Sequence, residues 1–124
     1  LKKKHNAINK SILDLNINKK FDLVIITGVL SHQNQNDIKK LLRKIYSLTK
    51  NYIYMADYFN PKPVQVNYRG HQDRLTKDDF AKKLWTLFPK LRLLDYGFYW
   101  RHDPHLKNQC DDVNWFLFHK LNDQ

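Results

Sequence analysis

FDLVIITGVLSHQ, residues Phe21 to Gln33, is the segment on which the architecture turns. From Phe21 to Leu30 it is almost unbroken in apolar and β-branched residues, and Asp22 near its entry is the one charged interruption. Such a run predicts a parallel strand buried on both faces. Gly28 stands near its end, where the lack of a side chain either lets the backbone approach a ligand or makes a tight turn. His32 follows as a candidate general base or substrate-orienting group, or as a capping or packing residue ahead of a helix.

Downstream, Ile38, Leu41, Leu42, Ile45 and Leu48 recur at helical spacing. Asn36 is placed to cap this helix, Asp37 to complement the positive end of its dipole, and Lys50 to favour the far end. Asn51 then breaks into a second strand, Tyr52 to Tyr58, which carries Asp57, a candidate base or a hydrogen-bonded structural carboxylate. Phe59 to Leu75 shows no period and contains Pro61, Pro63 and Gly70, which predicts a long loop. A second helix is expected with Thr76 as N-cap, Asp79 three residues on and a Leu75–Phe80 staple; its apolar face is Phe80, Leu84, Leu87 and Phe88, and Pro89 ends it. Leu91 to Trp100 and Val113 to His119 read as two strands around the polar segment Arg101 to Asp112, hence an antiparallel pair. Upstream of Phe21, Asn6 to Leu13 reads as a short strand ending at Asp14. Alternating strands and helices predict an α/β sheet with helices on its faces, mostly parallel and closed by an antiparallel C-terminal hairpin.

The chain has 124 residues, the size of one domain, and 42% hydrophobic with 27% charged residues is a globular composition. No apolar run reaches a membrane span's length, and Cys110 is the single cysteine, so a reducing cytoplasm is the expected compartment. The chain starts at Leu1, which points to a processed chain or a piece of a longer one. Net charge is +10, yet only Arg43, Arg69, Arg74, Arg92 and Arg101 are arginines and no glutamate is present. The excess therefore reads first as solvated lysines and missing acids, which argues against nucleic acid and leaves a broad attraction for anionic metabolites. Tyr52, Phe98, Trp115 and Phe116 lie in strand patterns, where core packing is the simpler expectation. A basic, non-enzymatic module for nucleic acid or polyanions is the alternative of a different class.

His71, His102, His105, Cys110 and Asp111 are metal-ligand types, but the His102–His105 pair lies in a loop and only one cysteine is available, so no metal site is assigned. Ligands of open α/β sheets sit beyond the carboxyl ends of the strands, which gathers Asp14, Gly28 to His32 and Asp57 to Asn60 at one rim. Tyr68, Arg69, His71, Asp73 and Arg74 form the densest polar cluster. The arginines suit a carboxylate or phosphate, or else pin a loop through the aspartate.

SILDL (Ser11 to Leu15) followed by FDLVIITGVLSHQ resembles the third- and fourth-strand motifs of class I S-adenosylmethionine-dependent methyltransferases. DYFNPKPVQVNYRGHQDRL (Asp57 to Leu75), DYGFYWRHDP (Asp95 to Pro104) and DDVNWFLFHK (Asp111 to Lys120) are similar to methylases associated with pseudaminic acid biosynthesis. The resemblance covers about Asn9 to Lys120. It implies a Rossmann-like methyltransferase sheet lacking its first strands, and S-adenosyl-L-methionine as cofactor. It implies that Asp14, Leu15, Gly28, Val29 and Leu30 line the cofactor, that His32 and Asp57 are catalytic, and that Asn60, Tyr68, Arg69, His71, Asp73 and Arg74 hold an anionic sugar or sugar nucleotide. For Asp14 a plain turn residue remains the alternative. Two residues depart from the pattern: Ser31 stands where an aliphatic residue is expected, and Asp57 where glutamate is usual. The family's first strand and glycine-rich loop would precede Leu1, and Gly28, Gly70 and Gly97 make no G-x-G. Such a C-terminal half, or an inactive truncated remnant, is expected to bind the cofactor weakly alone and to self-associate through an open edge at Phe21 to Leu30.

Overall fold

The computed structural model describes residues 7–68, 71–107 and 111–121, with residues 68 and 71–74 described by backbone alone. Four strands form one mixed sheet: β1 (Phe21–Thr27), β2 (Thr49–Asp57), β5 (Arg92–Tyr99) and β6 (Val113–His119), in the order β1-β2-β6-β5. β1 and β2 are parallel, and β6 runs antiparallel to both β2 and β5. A separate hairpin pairs β3 (Val64–Tyr68) with β4 (His71–Lys77). Helices α1 (Ile38–Leu48) and α2 (Phe80–Leu87) cover one face of the sheet. The α/β expectation and the antiparallel closing pair hold.

The α1 periodicity translates directly into packing. Ile38, Leu41, Leu42, Ile45 and Leu48 are all buried, the first four in one cluster with Ile26, Ile53, Met55 and Phe118 from the sheet and Phe80 and Leu84 from α2. Tyr46 stacks on Phe88 with ring centroids 3.7 Å apart, fastening the end of one helix to the end of the other. Thr49 turns its hydroxyl back to the Ile45 carbonyl at 2.7 Å, so the helix passes into β2 without a loop, two residues before the break expected at Asn51. Lys50 consequently lies in β2.

Five other expectations are corrected. Asn6 to Leu13 forms no strand among its described residues; a 3₁₀ turn at Ile12–Asp14 takes its place, because the Ser11 hydroxyl accepts from Leu13 N–H and local bonding wins over extension. Asn36 is not a cap. Asn34 caps a 3₁₀ turn (Gln35–Asp37) that leads into α1. The long loop after Phe59 is largely the β3–β4 hairpin. Thr76 belongs to β4, opposite Gln65, and Asp79 caps α2 by accepting from Lys82 N–H at 3.0 Å. Finally, β1 ends at Thr27 and is buried on one face only: Phe21, Leu23 and Ile25 are 38%, 46% and 61% exposed. It is an edge strand, and no described element covers its second face.

That uncovered face continues through Tyr52 and Tyr54, the cross-strand partners of Leu23 and Ile25. Tyr52 and, on β5, Phe98 are exposed rather than core residues, as an incompletely clad sheet requires. Tyr54 and Tyr99 share a hydrogen bond of 2.9 Å beside Trp115, and partial burial with the Tyr99 hydroxyl pushes the Tyr54 phenol above its ordinary range. Gly97 lies under the Trp115 indole, where an added Cβ would stand 2.5 Å from Nε1. Gly97→Ala is therefore expected to displace Trp115 and cost about 1–3 kcal/mol by overpacking, read from urea unfolding followed by tryptophan fluorescence.

Candidate functional site

Because β1, β2 and β5 run together and β6 runs against them, the carboxyl ends of the first three and the amino end of β6 share one rim. β1 leaves the sheet there. Gly28 N–H still reaches the Ala56 carbonyl at 3.0 Å, and its φ of +65° turns the chain into Val29 and a 3₁₀ turn, Leu30–His32. A Cβ at Gly28 would meet nothing within 4 Å, so the demand for glycine is torsional.

Asp57, the last residue of β2, meets this turn. Its Oδ2 accepts from Leu30 N–H at 3.0 Å and Ser31 N–H at 3.3 Å, and its Oδ1 from Tyr58 N–H at 2.8 Å. Val29 supplies no side-chain cap, so the cap of the turn comes from the neighbouring strand. Asp57 is 8% exposed and both its oxygens accept backbone hydrogen bonds. Leu30 and Ser31 are each 1% exposed, with β4 packed against their turn. The Ser31 hydroxyl is buried without a hydrogen-bond partner among the described residues.

The hairpin closes over this turn from a fixed base. Asp78 N–H donates to the Tyr58 carbonyl and Asn60 N–H to the Asp78 carbonyl, both at 3.4 Å. The buried Asp78 carboxylate bonds Asp79 N–H at 2.7 Å and forms an ion pair with Lys83 Nζ at 3.3 Å. The Tyr58 hydroxyl donates to Asp111 Oδ2, joining the β2 end to the segment entering β6.

The structure thus brings Gly28, Val29, Leu30, His32, Asp57 and Asn60 together. Val29 is half-buried, His32 exposed, and Asn60 sits at the hairpin base with its side-chain amide on the Lys62 carbonyl. Tyr68, His71, Asp73 and Arg74 contribute backbone to the hairpin and their side chains lie outside the described residues, as does all of Arg69. The turn that carries Asp14 lies on the flank of α1, where Lys44 Nζ donates to the Leu15 carbonyl. Asp14 is exposed there. Ser31 and Tyr58 fall inside the rim segments that the sequence gathers, Gly28 to His32 and Asp57 to Asn60, but were given no role there. Asp78 and Asp111 are rim residues the sequence did not place at the site. Among the described residues no three potential metal ligands gather, and Cys110 lies outside them. Nor is any described helix long and apolar enough to cross a membrane.

No family model matches the chain, and no curated protein matches it by sequence. Solved structures do match by fold. A 1,6-didemethyltoxoflavin N1-methyltransferase from Burkholderia thailandensis, crystallised with 1,6-didemethyltoxoflavin and S-adenosylhomocysteine, superposes with a TM-score of 0.70 at 12% identity over 93% of this chain and 50% of that one. An S-adenosylmethionine-dependent methyltransferase from Leishmania major gives 0.63 at 14% identity, over 90% of this chain and 44% of that one. The N-methyltransferase NodS from Bradyrhizobium japonicum, in complex with S-adenosylhomocysteine, gives 0.59 at 11%, over 91% and 53%. The fold is therefore the Rossmann-like methyltransferase fold, and the chain spans about half the length of the structures it matches.

The orphaned hydroxyl gives a test of the local packing. An unsatisfied buried hydroxyl costs about 1–3 kcal/mol, so Ser31→Ala is expected to raise stability by roughly 1 kcal/mol, seen as a higher urea midpoint at unchanged slope.

Proposed function

We propose that this chain is the C-terminal half of a class I S-adenosylmethionine-dependent methyltransferase domain. The observation that carries the reading is the rim: parallel β1 and β2 deliver a glycine turn and a hydrogen-bonded carboxylate to the crevice outside their carboxyl ends, where ligands of open α/β sheets sit. Matching folds crystallised with S-adenosylhomocysteine support it. Gly28 and Val29 would face the cofactor, while Leu30, buried in the core, would support their turn from beneath; Asp14 and Leu15 would contribute as far as their turn on α1 reaches it. The bound cofactor supplies an electrophilic methyl group on a sulfonium. The chain's own part is to align an acceptor with it, since holding reactants in line supplies much of the rate of such a displacement. His32, exposed at the end of the turn, is the residue we assign to orient the acceptor or take its proton. Asp57 acts through the turn it holds.

The acceptor we propose is an anionic sugar or sugar nucleotide of surface-glycan biosynthesis, in the reducing cytoplasm. It rests on the Tyr68 to Leu75 motif, whose two arginines suit a carboxylate or phosphate, and on the net positive charge of the chain. The exposed aromatics Tyr96 and Phe98 share β5 with one arginine and one aspartate, so they form no basic stacking platform of the kind that binds single strands.

Two outcomes test the reading. With no G-x-G loop, the 124-residue chain alone is expected to bind S-adenosylmethionine weakly or not at all by titration calorimetry, while the full-length protein binds S-adenosylhomocysteine. Absence of binding by the full-length protein overturns the assignment. In the chain alone the open β1 edge, with Leu23 and Ile25 bare, is expected to pair with a second copy. Sedimentation should show concentration-dependent association, which Ile25→Lys weakens; a strictly monomeric profile refutes it.

A further inference from the structure

A carboxylate that closes a rim from inside the protein has a different task from one that meets an acceptor. The Leu30–His32 turn begins with amides that its own preceding residue cannot cap, and the first two, Leu30 and Ser31, are paired with an oxygen 27 and 26 residues further along the chain. Hydrogen bonds to an ionised acceptor are shorter and stronger than neutral ones, and burial at 8% exposure protects these from water. The third bond, from Tyr58 N–H to Oδ1, prevents the carboxylate from swinging away. Gly28 supplies the other half of the constraint, since its +65° φ sets the direction in which the chain leaves β1. Between these two anchors the backbone of Val29 has one path.

We propose that Asp57 is a positioning residue: by holding the buried Leu30 and Ser31 amides it fixes the Gly28–Val29 backbone in the conformation that faces the cofactor crevice, and contributes to cofactor affinity through that backbone. The inference rests on the cofactor reading above and adds to it the group that prepares the binding surface. The side chain must be a carboxylate of this length. In Asp57→Asn one oxygen becomes an amide donor, so either the Leu30 and Ser31 amides or the Tyr58 amide faces another donor.

The test compares wild type and Asp57→Asn in the full-length protein by two measurements. The first needs no ligand: the Leu30 and Ser31 amide proton resonances are expected to shift upfield and exchange faster in the variant, while those of Leu93 and Phe118, paired between β5 and β6, stay in place. The second is calorimetric titration with S-adenosylhomocysteine, whose affinity is expected to fall about tenfold or more, the equivalent of one charged hydrogen bond. Unmoved amides overturn the clamp, and released amides with unchanged affinity overturn its positioning role. If wild type does not bind S-adenosylhomocysteine, the cofactor reading itself fails, and the amide shifts separate that failure from loss of the clamp. Should Asp57→Asn not fold, Gly28→Ala decides: its Cβ meets no neighbour, so it disturbs the same backbone through torsion alone. A similar loss of affinity supports the proposal and unchanged affinity overturns it.

Discussion

Two parallel strands need not end together, and here one side chain makes them do so. The Asp57 carboxylate spans from the end of β2 to the turn that follows β1, and accepts from backbone on both sides of the gap. Around that tie the other parts of the rim fall into place. The turn, held down, buries Leu30 in the core and gives β4 a surface to rest on. The hairpin base is stitched to Tyr58 and Asn60, just beyond Asp57, by the paired Asp78 bonds. A buried carboxylate without those donors would be costly, so the polar network and the backbone path are required together.

Below the rim the molecule is asymmetric. One face of the sheet is covered by α1 and α2, whose Leu41, Leu42, Ile45 and Leu84 are inaccessible to water. The opposite face, with Leu23, Ile25 and Tyr52, has no described cover, and Tyr54, Tyr99 and Trp115 gather on it through ring contacts and a shared hydroxyl bond.

Legibility followed the range of the interactions involved. The α1 face was readable because five apolar residues at helical spacing need only one partner surface, and they found it. The β1 run was readable as a strand but not as an edge strand, since a stretch suited to burial on both faces does not say whether both are covered. The β3–β4 hairpin escaped notice because Pro61, Pro63 and Gly70 outweighed the short alternation of Val64, Val66 and Tyr68. Thr76 and Asp79 had the spacing of a capping box, yet Thr76 was already committed to the β4 ladder, a tertiary demand that local spacing does not record. Asp57 was legible as an important carboxylate. Its partners lie too far away in sequence for any motif to name them.

The order of the sheet also bears on how the molecule is made. β6 lies between β2 and β5, yet it follows every other described strand in the chain. Until it arrives, β5 has no neighbour to bond with and β2 has one side bare. Lys120, just beyond it, then bolts the assembly shut, donating from Nζ to the Tyr46 and Thr49 carbonyls at 2.9 and 3.0 Å. During synthesis, therefore, β1, α1 and β2 emerge able to pair while β5 waits unpartnered, and the sheet is completed by insertion into its middle rather than by growth at its margin. A ribosome stalled before Val113 would hold a nascent chain with adhesive strands on display, the kind of intermediate that chaperones shield.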